Sequence, residues 1–395
     1  MSADRRVAVV GGSLGGLTTA LLLRELGFDV DVYERAPATL VQRGAGIGFL
    51  PDAARYLCER AQLPLDTLCV RTSRIRYLDR RGTVIHEAAH RYRFSSWNTV
   101  YGHLLSLWGR DRYHLDHEMT GWRETGDAVD IRFAHAAPRS ADLLVCADGI
   151  GSSARARLLP ATQLRYAGYV AWRGTVAEAS LPPAIGTAFD DAITYFVFAN
   201  SHVLVYPIPG PTGSIVRGER LVNFVWYRNY MNGPELDDLF TDGTGQHRQL
   251  SLPPGAVAAH HVAELRAVAA ARLPGPIAAL IQASAQPFLQ AIYDLDVPRM
   301  AFGRICLIGD AAFVVRPHAA AGTAKAAADA WALAEALKTQ ATIPQALAAW
   351  EPIQLALGRQ LLERTQAIGR RSQFDGNWSP ADPALLFGLR RSGEQ

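Results

Sequence analysis

The stretch VAVVGGSLGGLTTALLLRELGFDVDVYE, residues 7–34, passes from an apolar run through a glycine turn into a helical pattern and back to an apolar run. Val7–Val10 reads as a short buried strand and Leu17–Leu26 as a helix stopped by Gly27. Val30–Tyr33 reads as a second strand that ends on Glu34. The order is strand, helix, strand, a βαβ unit. Its turn, GGSLGG at residues 11–16, has the G-x-G-x-x-G spacing, with Ser13 in place of the middle glycine. Such a turn lays a diphosphate on the helix N-terminus, where free N–H groups and the helix dipole attract negative charge. Gly11 makes the tight turn and Gly16 lets helix and strand pack closely. Ser13 is small and its hydroxyl can donate. Taken alone, the motif fits either a dinucleotide site or a plain βα turn. Glu34, 18 residues past Gly16 at the end of the second strand, is where a carboxylate accepts ribose hydroxyls, and together they point to an adenine dinucleotide.

Beyond this unit, the segment from Arg43 begins GAGIG and then turns helical toward Leu57. Residues 70–100 hold short strands (Ile75–Leu78, Thr83–His86) and an Arg/aromatic loop, and Val129–Phe133 and Leu143–Cys146 read as strands. From about residue 165 the texture changes. Ile193–Phe198, Val203–Tyr206 and Leu221–Tyr227 are aromatic and β-branched, with turn signals between them, as in an antiparallel sheet. In LVNFVWYRN (221–229), Val222, Phe224 and Trp226 alternate with Leu221, Asn223, Val225 and Tyr227. Buried-strand texture returns at Arg304–Ile308, an alanine-rich helix follows, residues 343–371 form a long amphipathic helix, and the tail from Ser372 reads as loop.

The predicted fold is therefore α/β, α+β overall. A Rossmann-like nucleotide-binding domain is begun at residue 7 and finished at residue 308, around an inserted antiparallel-sheet domain. The boundaries read as 1–70, 101–164 and 301–340 for the nucleotide domain, 71–100 and 165–300 for the inserted domain, and 341–395 for the C-terminal helix and tail.

Bulk properties exclude several classes. With 49% hydrophobic and 19% charged residues the chain has an ordinary globular composition, and a net charge of +3 leaves no footprint for nucleic acid or an acidic membrane. No run approaches the length of a membrane span, and the N-terminal apolar stretch, broken by glycines, reads as strand–turn–helix instead of a signal peptide. Cys146 and Cys306 sit in apolar strands, and no pair among the four cysteines has C-x-x-C spacing, as expected of a reduced, cytoplasmic protein. No metal-ligand spacing is present; His260 and His261 are adjacent, and their side chains need not converge.

Two further stretches end strands on a carboxylate. In ADLLVCADGIGSSARARLL (141–159) the strand closes on Asp148-Gly149, followed by Ser152 and Arg155; in CLIGDAAFVVRPHAAAGTAKAAADA (306–330) it closes on Gly309-Asp310. Each alone is compatible with a capped helix. A carboxylate at the carboxyl end of such a strand also sits where α/β folds bind ligands.

In this order and spacing, G-x-G-x-x-G, DG and GD resemble the aromatic-hydroxylase family of FAD-dependent monooxygenases, in a resemblance that spans residues 7 to 335. YAGYVAWRG (166–174), VYPIPG (205–210) and NFVWYRN (223–229) extend it nearly end to end. The sequence departs from the family where it has Phe313 for the usual His after GDAA, Ala321 and Ala324 for the Gln and Asn of P-x-x-G-Q-G-x-N, and Tyr101 for a common Arg.

The resemblance implies FAD as cofactor, NADH or NADPH as co-substrate, and O2. It implies hydroxylation of a small electron-rich aromatic or N-heteroaromatic ring, 2,6-dihydroxypyridine-like, through a C4a-hydroperoxyflavin. It places Gly11, Ser13, Leu14, Gly16, Glu34, Arg35, Arg43, Ile47, Asp148, Asp310, Ala321, Gly322 and Thr323 at the cofactor, the alanine string being small so that the backbone can approach the flavin ring. To deprotonate a ring hydroxyl, His318 stands beside the expected ring, with His202, Tyr206 and Tyr227 as further candidates; imidazole suits the task because it titrates near neutrality. Trp172, Phe196, Phe224 and Trp226 either wall an aromatic pocket or form the sheet's own core. Arg173 and Arg316, with Pro317 beside them, either hold an anionic substrate or pair elsewhere. The alternatives are a hydroxylase or epoxidase tailoring a natural product, a flavin oxidase, and a non-catalytic FAD-binding protein. The apolar C-terminal helix docks either on its own nucleotide domain or on a second copy in a homodimer.

Overall fold

The computed structural model describes residues 5–41 and 45–394. The expected βαβ unit is present as Arg6–Val10, Leu14–Glu25 and Asp29–Tyr33, its strands paired in parallel from Arg6↔Asp29 to Val10↔Tyr33. Leu143–Cys146 lies on the other side of the first strand, and Ile305–Leu307 lies beyond it, both parallel. With Tyr113–His114 outside the second strand and Ala301–Phe302 at the opposite edge, this makes a six-stranded sheet. Strands some 160 residues apart in sequence are neighbours here because Leu143–Cys146 and Ile305–Leu307 are apolar throughout and buried on both faces, as parallel strands require.

A larger sheet, antiparallel but for one pair, carries the aromatic strands. Its order runs Ser251–Leu252, Phe288–Asp296, Arg165–Ala177, Leu221–Asn229, Ser201–Ile208, Ala192–Phe198, Val70–Leu78, Val84–Ser96, Gly46–Gly48. Residues 70–96 depart from the expectation: the presumed Arg/aromatic loop is the body of a long hairpin. The first half of its second strand alternates exposed with half-buried side chains, Val84, Ile85, Glu87, Ala89 and Arg91 lying exposed, and only its end, from Tyr92 and Phe94, turns into the core. Met119–Thr125, Ala128–Phe133 and Arg139–Ala141 form a small sheet of their own.

The two faces of the aromatic sheet have different fates. Val222, Phe224 and Trp226 join Val170, Trp172, Phe196, Val203 and Val205 against the helices Ala259–Arg272 and Gly275–Ala283. Tyr169, Ala171, Leu204, Tyr206, Val225 and Tyr227 face the other way, toward Ala319, Ala321 and Ala324 at the start of the alanine-rich helix Gly322–Thr339. The period-2 strand pattern sorts side chains onto these faces, and packing decides which face is core.

The C-terminal helix, Ile343–Arg370, packs on its own chain, with Leu357 and Leu361 in the cluster beside the alanines. The tail is not idle loop. Residues 371–375 continue as a π-helical turn, and Phe387 and Leu389 are buried in that same cluster. Cys146 and Cys306 are free and buried as expected, and burial pushes both thiols up. No helix among the described residues is long and apolar enough to cross a membrane.

Candidate active site

Three cavities line up along the carboxyl ends of the parallel strands. The first, of about 340 Å³, is bounded by Gly11, Ser13, Glu34, Arg35, Asp148 and Met119. The second, about 260 Å³, shares Ser13 and Trp97 with it and adds Leu14, Gly15, Asp310, Gly322 and Thr323. The third, about 190 Å³, shares Asp310, Gly322 and Thr323 with the second and reaches the aromatic sheet at Arg173, Tyr206 and Tyr227. Together they form one trough from the end of the second strand to the sheet. A larger cavity, about 620 Å³, lies beside Pro160, Leu236 and His247; it reaches Arg155 but none of the glycines or carboxylates of the three signatures.

The glycines of the turn are steric necessities. Gly11 has φ +104°, and a Cβ there would sit 2.2 Å from the Ala147 carbonyl oxygen; at Gly16 it would sit 1.8 Å from that of Gly11. Ser13 needs no such freedom, since its backbone is extended at φ −84°, so a side chain is tolerated where the pattern has glycine. Its hydroxyl does not cap the helix it precedes. The alanine-rich helix is likewise uncapped by a side chain at Ala321. Both N-termini open into the second cavity, through Ser13, Leu14 and Gly15 on one side and Gly322 and Thr323 on the other. Two sets of orphan N–H groups and two positive dipole ends thus face one space, a ready site for anionic or carbonyl oxygens.

Glu34 is buried, and its carboxylate accepts from the N–H groups of Gly12 (3.0 Å) and Ala36 (2.9 Å), which fixes it at the end of the first cavity. Asp148 does what the plainer reading allowed: it accepts from Ser152 Oγ (2.6 Å) and the Ala154 N–H (3.2 Å), capping Ser153–Leu158, while also lining the first cavity. Arg155, which the motif reading left in the background, ties the two signatures together. Its guanidinium donates to the carbonyls of Ile150 (2.6 Å) and Ala311 (3.2 Å). Arg43 lies outside the described residues.

Asp310 has open surface, but that surface faces the trough and the carboxyl is otherwise enclosed by protein. Burial pushes it up, opposed by the charge of Lys325 and reinforced by that of Asp329. Beneath it, Lys325 Nζ donates to Asp329 Oδ2 (2.7 Å), which also accepts from the Gly309 N–H (2.8 Å). Phe313, in the place of the family's histidine, lays its ring 4.8 Å from the Lys325 ammonium, within cation–π range.

At the third cavity the sequence expectations divide. Arg173, Tyr206, Tyr227 and Pro317 line it, together with Ile47, Ala321, Gly322 and Thr323. Arg173 is the only cation among the described residues that do so. It donates to the Gly46 carbonyl (2.5 Å) and Gln290 Oε1 (2.9 Å), while its Nε is buried without a partner. Burial pushes the Tyr206 hydroxyl up, with the nearby Arg173 charge opposing.

Four aromatic expectations are corrected. Trp172, Phe196, Phe224 and Trp226 are on the far face of the sheet, in the helix-backed core, and Trp226 spends its N–H on Ser201 Oγ (2.9 Å). Arg316 is not free for an anion either: it makes a buried two-pronged pair with Asp294, at 2.9 and 2.7 Å.

The two histidines are also corrected. Neither His202 nor His318 lines the third cavity; both lie behind Tyr227, with ring centroids 4.6 and 4.7 Å from it. His318 Nε2 is bonded to the Tyr169 hydroxyl (2.7 Å), and a Cβ on Gly369 of the C-terminal helix would come within 2.9 Å of its ring. Burial pushes His318 well down, and the nearby His202 imidazole and the Arg316 charge add to this; burial pushes His202 to about 3. Both are neutral imidazoles that resist taking a proton, the opposite of a base poised near neutrality. His318→Gln is therefore expected to lower stability by about 1–3 kcal/mol, through the orphaned Tyr169 hydroxyl. The acid limb of the kcat/KM pH profile should stay where it is, and a shift of that limb in the variant would restore His318 as the base.

The sequence reading did not single out Tyr169, Ala171, Leu204, Val225, Gln290 or Phe387. The first four share the inward strand face with Arg173, Tyr206 and Tyr227, a signal present in the alternation. Nothing local marks Phe387, in the tail, or Gln290. Outside the trough, His260 and His261 do converge, with Asp238 as a third member, against the expectation that they need not.

Fold and trough define an FAD-dependent monooxygenase of the aromatic-hydroxylase family, and the chain belongs to that family. Profiles described as an FAD binding domain-like region, an FAD binding domain and an NAD(P)-binding Rossmann-like domain match residues 166–294, 293–365 and 9–39. The chain is 37% identical, over 98% of its length and 97% of the relative's, to the 2,6-dihydroxypyridine 3-monooxygenase of Paenarthrobacter nicotinovorans. The solved structure of 2,6-dihydroxypyridine-3-hydroxylase from Arthrobacter nicotinovorans superposes with a TM-score of 0.93 at 36% identity, covering 98% of each chain. A Klebsiella pneumoniae HpxO variant complexed with FAD superposes at 0.78, with 25% identity over 94% of this chain and 91% of that one.

Proposed function

We propose that this chain hydroxylates a small, acidic, hydroxylated N-heteroaromatic ring of the 2,6-dihydroxypyridine type, consuming NADH or NADPH and O2. One oxygen atom enters the ring and the other leaves as water, with the pyridine nucleotide supplying the two electrons. The observation that carries the reading is the third cavity. Its lining brings the residues that would meet the flavin ring, Gly46–Gly48 and Ala320–Thr323, together with Tyr206, Tyr227 and Arg173 of the aromatic sheet, and Arg173 is the one cation among the described residues that line it. The end-to-end likeness to the dihydroxypyridine enzyme supports the choice of ring.

The residues of the trough fit FAD. Glu34, with Arg35 beside it, would take the adenosine end, and the uncapped N-terminus at Ser13 and Leu14 the diphosphate. Asp310 would take the ribityl hydroxyls. The N–H groups of Gly322 and Thr323 would meet the carbonyl edge of the ring system, while Gly46–Gly48 and Ala320 leave room for its face: a Cβ on Gly48 would already sit 2.4 Å from that of Ala320. When bound, FAD supplies the electron transfer and the activation of O2.

The chain's own contribution is to hold the substrate as its anion, since a deprotonated ring is the better nucleophile. Arg173 serves this by charge: a guanidinium beside a ring hydroxyl lowers that hydroxyl's pKa, so no strong base is needed. Its unpartnered Nε is a donor ready for a substrate oxygen. Tyr206 and Tyr227 offer hydroxyls on the same wall. The pair Tyr169–His318 stands behind Tyr227 and fixes its position rather than touching substrate.

The reading is tested with FAD-loaded protein by following NADH and NADPH oxidation with and without 2,6-dihydroxypyridine and weighing the product. Stimulated oxidation with a gain of one oxygen is expected. Oxidation that yields only hydrogen peroxide with that ring, and with a panel of phenols and N-heterocycles, would leave an oxidase.

A further inference from the structure

Some distance along the chain from every trough residue, Asp238, at the end of the short helix Pro234–Leu239, meets His260 and His261 in the first turn of Ala259–Arg272. His260 Nε2 is 3.6 Å and His261 Nε2 3.2 Å from the same oxygen, Asp238 Oδ2, and one ligand atom from each residue lies within 4.8 Å of the others. Asp238 and His260 are open to solvent, but His261 is only 6% exposed. Both ring nitrogens of His261 are buried with no hydrogen-bond partner, although a carboxylate oxygen lies 3.2 Å from one of them. A buried imidazole without hydrogen bonds is costly, and the nearby carboxylate does not relieve it in this geometry.

We propose that Asp238, His260 and His261 form a binding site for a divalent first-row transition ion of the Zn2+ class. Imidazole nitrogen and carboxylate oxygen are the donors such ions prefer, and hard ions such as Mg2+ disfavour two imidazoles. The spacing fits. With bonds of about 2.0–2.1 Å, two ligand atoms of a tetrahedral site lie about 3.3 Å apart, and the two separations from Asp238 Oδ2 bracket that value. The ion would give the buried His261 the partner it lacks. Three protein ligands leave a fourth position for water on the solvent side. The positive end of the helix dipole at His260 and His261 works against a cation. Asp238 offsets it, and Glu264, 3.9 Å from His261 Nδ1, adds negative charge although it also pairs with Arg228. The ion would link two helices of the substrate-sheet region. The helix bearing the histidines packs on the face of the aromatic sheet opposite the trough, so the site is structural and not part of the reaction.

The test uses the full-length, FAD-loaded protein, stripped of adventitious ions with a chelator and then dialysed against graded Zn2+ at neutral pH. A parallel titration with Co2+ is followed by visible absorption. One Zn2+ per chain with saturable binding is expected, with cobalt bands of low-symmetry nitrogen–oxygen coordination. Asp238→Asn and His260→Ala change exposed side chains and should leave the fold and hydroxylation rate intact. Each should weaken binding by more than the ~10–100-fold typical of losing a mere outer-shell partner. Absence of saturable binding overturns the proposal. So does binding that both variants retain, which would put the ion elsewhere.

Discussion

Arg173→Met lowers kcat/KM for the ring substrate by about 100-fold, equivalent to roughly 2.7 kcal/mol of lost transition-state stabilisation. That size is expected from removing a charged donor from an enclosed site, where one charged hydrogen bond is worth about 1.5–3 kcal/mol. The loss has a direction in pH. On the proposed reading, the wild-type guanidinium holds the ring hydroxyl's pKa down so that the reactive anion is present at neutral pH. Without it the hydroxyl returns toward its solution pKa, and the acid limb of the kcat profile moves to higher pH, by about 1–3 units. Activity lost at pH 7 should then be partly recovered at pH 9.

Arg173 also holds the Gly46 carbonyl and Gln290, so a structural effect has to be separated from a chemical one. Arg173→Lys keeps the charge and loses the fork. It is expected to retain the wild-type acid limb while binding substrate more weakly. FAD content and far-UV circular dichroism report whether either variant has lost the fold. An Arg173→Met enzyme with the wild-type KM and an unmoved acid limb would remove Arg173 from the chemistry.

Lys325→Met destabilises the protein by about 3–5 kcal/mol at pH 8, the cost of breaking a buried ion pair by removing one partner. Asp329 is fully buried; its Oδ2 serves both Lys325 and the Gly309 N–H, and its Oδ1 has no partner. Burial already raises the Asp329 carboxyl, and Lys325 is the main influence that opposes it. Deleting the lysine raises that carboxyl further above its unfolded value. A carboxyl raised on folding costs stability wherever the unfolded chain is ionised, and the cost disappears as pH falls through the folded-state pKa toward the unfolded one. The deficit of Lys325→Met should therefore be largest near pH 8 and shrink toward pH 5, read by denaturant melts of variant and wild type at both. Asp310 shares this cluster and the Gly309 loop floors the trough, so FAD retention should fall as well. An equal deficit at both pH values would mean that the loss is one of packing around Phe313 and not of charge.

Much of the trough was legible in the chain. Glycine at positions 11 and 16 and the carboxylates at 34, 148 and 310 are demanded by close backbone approach and by strand ends, which are local facts with local signatures. The inner strands of the six-stranded sheet were legible too, because a run such as Leu143–Cys146 or Ile305–Leu307, apolar on both faces, has no place but a covered parallel sheet. Of the hairpin at residues 70–96 only the short pieces Ile75–Leu78 and Thr83–His86 were legible; its full length was not, since an outer strand exposed along its first half carries no buried alternation.

By itself the sequence determined the nucleotide turn, the inserted sheet and which residues of a strand share a face. Alternation fixes that Phe224 and Trp226 point one way and Val225 and Tyr227 the other, but it is indifferent to which way is inward. Only the tertiary structure decided that the helices at 259–283 cover the first set and that the trough opens on the second. The same distinction separates Arg173 from Arg316. Both are arginines near an expected ring, yet Asp294 from a strand 22 residues earlier takes one and leaves the other facing the cavity. It also disqualified the histidines, whose chemistry follows from burial: the low dielectric around His318 and His202 opposes a positive charge, and burial is a property of the packed molecule that no stretch of chain possesses alone.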